Sequence, residues 1–224
     1  MVFLSLRNRN LYQMRSLFFS ASVLGLLIIQ VAAQTEKDVW HLDPNHSAAQ
    51  FSVRHMGIST VRGTFTKVNG DVTYVPSDPA KSSIDVTIDA NSVDTRVQMR
   101  DNDLRSPHFL EADKYSTITF KSKKVESAGA GALKVTGDLT IHGVTKEVVL
   151  DVDGPSAPVK DPRGTQHMGA SANLKIKRSD FGMTNMTGMV GDDVSILIDV
   201  ELVDQLPMQR PPAPNAQPQG GPAH

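Results

Sequence analysis

Met168-Gly169-Ala170-Ser171-Ala172-Asn173-Leu174-Lys175-Ile176 alternates apolar and small or polar side chains along its whole length. Successive side chains of an extended chain point to opposite faces. Met168, Ala170, Ala172, Leu174 and Ile176 therefore share one face, and Gly169, Ser171, Asn173 and Lys175 the other. A helix would scatter the same residues around its circumference. The stretch reads as a strand with one greasy side and one wet side, the pattern of an antiparallel sheet.

The same alternation spreads outward from this stretch. Val194, Ile196, Ile198, Val200 and Leu202 alternate mostly with polar residues, although Leu197 and Val203 break the rule. Ile84, Val86, Ile88 and Ala90 alternate with Asp85, Thr87 and Asp89. Weaker versions occur at Phe51/Val53/His55, Val61/Gly63/Phe65, Val72/Tyr74, Ile118/Phe120, Leu133/Val135 with Leu139/Ile141, and Val148/Leu150/Val152. At least eight strands follow. His142-Gly143, set between Ile141 and Val144, predicts a tight hairpin in which glycine supplies a positive φ. Ala128 to Gly131 makes another connection, and Val68-Asn69-Gly70-Asp71 reads as a bulge or bend. The single helical stretch is Thr95 to Leu104, with Asp94 as its N-cap and Pro107 stopping it.

These elements predict an all-β fold, an eight-stranded antiparallel barrel with one short helix. Closure removes the exposed edges that invite aggregation, and eight strands can enclose one small ligand. The presumed inward face is rich in Val, Ile, Leu and Ala and poor in rings. Such a wall leaves a hollow apolar interior unless the sheets collapse into a solid core, and both readings stay open at this level. A dry channel would suit something apolar and elongated, because its wall has few polar groups with which to recognise anything else.

Composition limits the chemistry. The chain has 224 residues, no cysteine and a formal charge of −1. Thiol catalysis, Cys-ligated zinc, iron–sulfur clusters and disulfides all need an atom it lacks. Residues 1–33 carry Arg7, Arg9 and Arg15 without an acid, then an apolar run from Leu17 to Val31 and the small residues Ala32-Ala33. This is the layout of a secretory signal peptide, and the run is short for a bilayer span. Cleavage before Gln34 would leave 191 residues with 20 basic against 24 acidic side chains. A slightly acidic chain without a basic block argues against nucleic acid as a partner. The expected folded domain is 34–204. Residues 205–224 hold Pro207, Pro211, Pro212, Pro214, Pro218 and Pro222 with little to bury, and read as a disordered Pro-rich tail.

No catalytic motif stands out. His41, Asp43 and His46, with His55 nearby, invite a metal reading, but Pro44 interrupts them and their spacing matches no regular ligand pair. His46-Ser47 reads instead as a hydrogen-bonded strand start, and no metal is expected. Ser47, Ser59 and Ser106 lack the Gly-x-Ser-x-Gly frame, and no glycine-rich phosphate loop precedes a helix. Asp85 and Asp89 fall on the wet face. Two polar clusters remain: Arg100-Asp101-Asn102-Asp103-Leu104-Arg105-Ser106, and Arg178-Ser179-Asp180-Phe181-Gly182. Each is either an ion-pair network locking a barrel mouth or, through Arg100, Asp101 and Arg178, a polar contact to a ligand headgroup.

These blocks resemble those of the YceI-like family. The resemblance runs through Trp40-His41-Leu42-Asp43-Pro44-Asn45-His46-Ser47, Phe51-Ser52-Val53-Arg54-His55-Met56-Gly57, Gly63-Thr64-Phe65 and Ser92-Val93-Asp94-Thr95. It continues through Arg100-Asp101, Leu104-Arg105-Ser106, Phe109-Leu110 and Ile118-Thr119-Phe120-Lys121-Ser122. Gly137-Asp138-Leu139-Thr140-Ile141-His142-Gly143-Val144-Thr145 and Arg178-Ser179-Asp180-Phe181-Gly182 complete it, in family order. It implies a lipocalin-like barrel in the periplasm of Gram-negative bacteria. Members are described as polyisoprenoid-binding, often homodimeric, and without a known catalytic centre. The Pro-rich tail departs from the usual pattern.

The function expected is therefore a periplasmic carrier that sequesters a polyisoprenoid or isoprenoid quinone, with no other cofactor and no membrane span after signal cleavage. Strand alternation assigns the lining to Phe51, Val53, His55, Phe65, Ile84, Val86, Ile88, Phe120, Leu139, Ile141, Leu150, Ala172, Leu174, Ile176, Ile196 and Ile198. Two other readings remain: a hydrolase or metal-dependent enzyme using His46 or His55, and a stress-related interaction module with a solid core.

Overall fold

The computed structural model describes residues 39–129 and 131–205. The expected signal peptide and nearly all of the Pro-rich tail lie outside these residues. The strands are β1 (Val39–Leu42), β2 (Ala48–His55), β3 (Ser59–Phe65), β4 (Val68–Thr73), β5 (Ser83–Asp89) and β6 (Val93–Asp94), followed by β7 (Thr117–Gly129), β8 (Ala132–Ile141), β9 (Val144–Asp153), β10 (Val159–Lys160), β11 (Gln166–Lys177) and β12 (Val190–Val203). One α-helix, α1 (Gln98–Arg105), precedes β7.

Among the described residues every strand–strand pairing is antiparallel, and the sheet closes on itself where β11 meets β12. β12 pairs along one edge with β2 and then with β1, while β3 and β4 pair with β2 and β1 in turn. Each of these two couples thus forms one interrupted stave. With β5, β7, β8, β9, β11 and β12 they make the eight-stranded barrel expected from the alternation. β6 and β10 are short additions beside β3 and β11.

The seams differ in strength. β11 and β12 stay in register from His167 opposite Val203 to Lys177 opposite Asp193. β9 and β11 pair only at Ser171–Asp153, Ala172–Val152 and Asn173–Asp151. The β8–β9 turn is the expected hairpin: His142 and Gly143 have φ of 51° and 73°, the two left-handed positions of a type I′ turn.

Two local expectations are corrected. The helix begins at Gln98, not Thr95, because the chain turns first: Arg96 is left-handed at φ 63°. Asp94 accepts the Arg96 N–H at 2.7 Å instead of capping the helix. Val68 to Asp71 is regular strand, paired throughout with β5 and from Asp71 onward also with β1, and the interruption falls just before it at Thr66-Lys67. Gly70 is needed for space, since a Cβ there would lie 2.5 Å from the Asp85 carbonyl oxygen.

Candidate functional site

The inward faces do not meet in a filled core. Two buried clusters occupy the barrel. One is built around Phe120, Val135, Leu139, Ile141 and Phe181, the other around Trp40, Leu42, Val72, Met168 and Leu202. Phe65, Tyr74, Ile84 and Ile88 pack against both and remain only partly buried. Val86, Leu174, Val194, Ile196 and Ile198 also point inward yet are only half-buried. Side chains in a close-packed interior lose nearly all their accessible surface, so partial exposure on the inner face marks a void.

That void is a cavity of about 250 Å³ lined from every stave. Aromatic rings are folded onto the wall. Phe51 lies opposite Gly63, where an added Cβ would come 2.4 Å from its ring, and Phe120 lies over Gly137 at 2.6 Å. Glycine at these inward positions takes rings that would otherwise project across the lumen.

Fifteen of the sixteen residues assigned by alternation line this cavity: Phe51, Val53, Phe65, Ile84, Val86, Ile88, Phe120, Leu139, Ile141, Leu150, Ala172, Leu174, Ile176, Ile196 and Ile198. His55 does not. It sits at the last rung of β2, opposite Ser59 and Val190, where the hairpin tip runs past the enclosed space. Leu104, Phe109, Leu110 and Met183 also line the cavity, from α1 and loops that cap one end. Sequence alternation could not reveal them, because loop residues have no period.

The polar clusters at this capped end serve the fold. Arg178 is buried at 5% exposure and lines the cavity, but its guanidinium donates to the carbonyls of Met183, Gly191 at 3.0 Å and Val190 at 3.1 Å. Arg100 donates to the Thr95 hydroxyl and carbonyl at 2.8 and 2.9 Å. The Asp101 carboxylate accepts from the Thr95 N–H at 2.8 Å and from its hydroxyl. The locks are hydrogen bonds to backbone and hydroxyl groups, not the expected ion pairs, and Arg100 and Asp101 lie off the cavity wall. Around the same end Met56, Ile58, Val97, Met99, Met186 and Met189 are exposed, so the outer rim is apolar.

The histidines at the chain's start separate. His41 pairs with Asp71 at 2.6 Å, and His55 lies at the β2–β3 tip. His46 joins Asp43 at 2.8 Å in the turn between β1 and β2. Burial pushes the Asp43 carboxyl up, but hydrogen bonds from His46 and the Asn45 N–H outweigh it and hold the group below its ordinary range. The Asp43 hydrogen bond and the charges of Asp43 and Glu201 raise His46. Neither His46 nor His55 faces the cavity.

Residues 40–202 match the YceI-like domain. A Salmonella arizonae protein called Protein YceI is 37% identical over 188 residues, 84% of this chain and 96% of that protein. A Vibrio cholerae UPF0312 protein is 35% identical over 189 residues, with the same coverage. The crystal structure of Campylobacter jejuni YceI protein superposes with a TM-score of 0.61 at 37% identity, covering 68% of this chain and 90% of that one. A polyisoprenoid binding domain from Saccharophagus degradans shares the fold at 19% identity and a TM-score of 0.56, covering 73% and 97% of the two chains. Matched across its barrel by both sequence and structure, this chain belongs to the YceI-like family.

Proposed function

We propose that this protein is an exported, periplasmic carrier that sequesters a long apolar isoprenoid lipid, a polyprenol or isoprenoid quinone, and performs no chemistry on it. The observation that carries the reading is the continuous cavity of about 250 Å³ walled by Val, Ile, Leu, Ala and Phe. Its few polar members include Gln50, Thr119, Ser171 and an Arg178 already spent on carbonyls, so the wall offers a ligand little besides apolar contact. Space lined this way favours an apolar occupant over water, which needs two to four polar partners.

The energetics fit a carrier. An isoprenoid tail of several units buries ~600 Å² of apolar surface, worth roughly 15 kcal/mol gross at about 25 cal/mol per Å². Ordering the chain and losing overall freedom offset much of this, leaving an affinity of about micromolar or tighter. Selectivity would come from the length and girth of the channel. The binding domain from Saccharophagus degradans supports isoprenoids as the first class to test.

Extraction of the protein purified from its native compartment with organic solvent, followed by mass spectrometry, tests the reading. An isoprenoid lipid near equimolar amount is expected. Repeated absence of lipid, together with no uptake of added polyprenol or quinone, would overturn it.

A further inference from the structure

The apolar rim of the capped end is built from three loop tips. Residues 56–60 make the β2–β3 turn, 96–100 lead into α1, and 184–189 lie in the loop between β11 and β12. Ile58 and Met99 are 80% and 83% exposed, the two most exposed large apolar side chains among the described residues. Met56, Val97, Met186 and Met189 are exposed beside them. The tips are tied to one another and to the cap. The Met56 N–H donates to the Met189 carbonyl at 2.7 Å, and Asn185 Nδ2 donates to the His108 carbonyl at 3.0 Å. Met56 and Met186 are left-handed, at φ 50° and 56°. That conformation is costly for a bulky residue, so the backbone holds these two side chains at the turns under strain.

Charge sets the tips apart from the rest of the surface. They contain Arg96 and Arg100 and no acid, in a chain whose residues 34–224 carry 20 basic against 24 acidic side chains. Arg54, exposed at the foot of the first tip, donates to the Gly57 carbonyl at 2.7 Å and to Thr60 Oγ1 at 2.8 Å. Arg100 binds the Thr95 hydroxyl and carbonyl. Neither guanidinium is paired with a carboxylate among the described residues. The acids nearest the second tip in sequence are engaged with the protein: Asp94 accepts the Arg96 N–H, Asp101 the Thr95 N–H, and Asp103 faces His108 at 2.9 Å. Asp192, just past the third tip, accepts the Ser179 N–H. The positive charge of the rim is thus left for an anion outside the protein.

We infer that this rim docks on the surface of an anionic phospholipid bilayer, with the three tips at the acyl boundary and Arg54, Arg96 and Arg100 at the headgroup phosphates. Apolar side chains ringed by arginine are the combination that an anionic lipid surface binds. A protein partner would need one face matched in shape over about 800 Å², whereas separate tips bearing flexible, unbranched methionines suit a deformable layer. The rim also borders the cavity, since Leu104, Phe109, Leu110 and Met183 of the same cap line it. Docking therefore sets the capped end against the membrane with which an isoprenoid lipid would be exchanged, a role that rests on the carrier reading.

Flotation of the full exported chain with polyprenol-free vesicles of phosphatidylethanolamine and phosphatidylglycerol tests the inference. The chain should float with them, and less so with phosphatidylcholine vesicles or at high salt. Ile58→Ser combined with Met99→Ser should lower the partition coefficient by about 10-fold or more. Arg96→Gln should lower it on the anionic vesicles alone. Leu197→Ser, on the outer wall of β12, should leave it unchanged. The replaced side chains are all exposed, so the variants are expected to fold, as circular dichroism would verify. Polyprenol supplied in ethanol without vesicles should load the parent and the Ile58/Met99 variant alike. No vesicle binding by the parent, or equal binding by that variant, would overturn the docking. A dimer that the two substitutions dissociate, with no vesicle binding, would assign the rim to a second copy and overturn it too. Failed uptake from ethanol by both proteins would instead overturn the carrier reading, and flotation would still decide the docking.

Discussion

Arg178 shows how much of this barrel rests on single side chains. A buried guanidinium binds the Met183 carbonyl in the loop between β11 and β12 and the Val190 and Gly191 carbonyls at the start of β12, and truncation would leave those acceptors unpaired. Arg178→Met should destabilise the protein by about 3 kcal/mol in urea titrations. Beside it, Asp192 accepts from the backbone N–H and hydroxyl of Ser179, and these bonds hold its carboxyl below the ordinary range. Because its folded value is depressed, its contribution is full above the unfolded carboxylate range and is lost as pH falls through the folded value. The stability gap between the protein and Asp192→Asn should therefore be present at neutral pH and close in acid, as urea midpoints at several pH values would show. An unchanging gap would contradict this assignment. The sequence marks Arg178 as a polar group near a barrel mouth but cannot say what it binds, since its acceptors are backbone atoms whose positions depend on the loop's path.

Among the elements, the β8–β9 hairpin was the most legible, because His142-Gly143 states its turn chemistry locally. Its second requirement was not legible: a Cβ on Gly143 would lie 2.4 Å from the Tyr115 ring, which comes from a distant loop. Gly143→Ala should cost about 1–3 kcal/mol, from backbone strain and from that contact, and thermal unfolding would measure it. Alternation identified β5, β11 and β12 well. It missed β1, β6 and β10, which are too short to show a period. The helix start was misplaced because a left-handed Arg96 is fixed by Asp94, not by any helical pattern. The seams carry a further expectation. With three paired rungs between β9 and β11 against the long ladder between β11 and β12, amide hydrogen exchange should open the β9–β11 seam first. Equal protection along both edges of β11 would contradict that order.

For the whole molecule, the choice between a hollow and a solid barrel was the part that sequence left open. Alternation names the residues that face inward, yet whether they touch across the lumen depends on barrel girth and on where the rings lie. Gly63 and Gly137 settle part of this by taking the Phe51 and Phe120 rings against the wall. Filling the space should separate fold from function. Ala172→Phe places a ring in the cavity, so it should preserve or raise thermal stability while polyprenol uptake falls to background. The most direct measurement is titration of the delipidated protein with a long-chain polyprenol, read by intrinsic Trp and Tyr fluorescence and by mass of the isolated complex. Saturation at one lipid per barrel is expected, abolished by Val86→Lys, which sets a charge on the lining. No saturable uptake by the folded protein, or full uptake by Val86→Lys, would contradict the account.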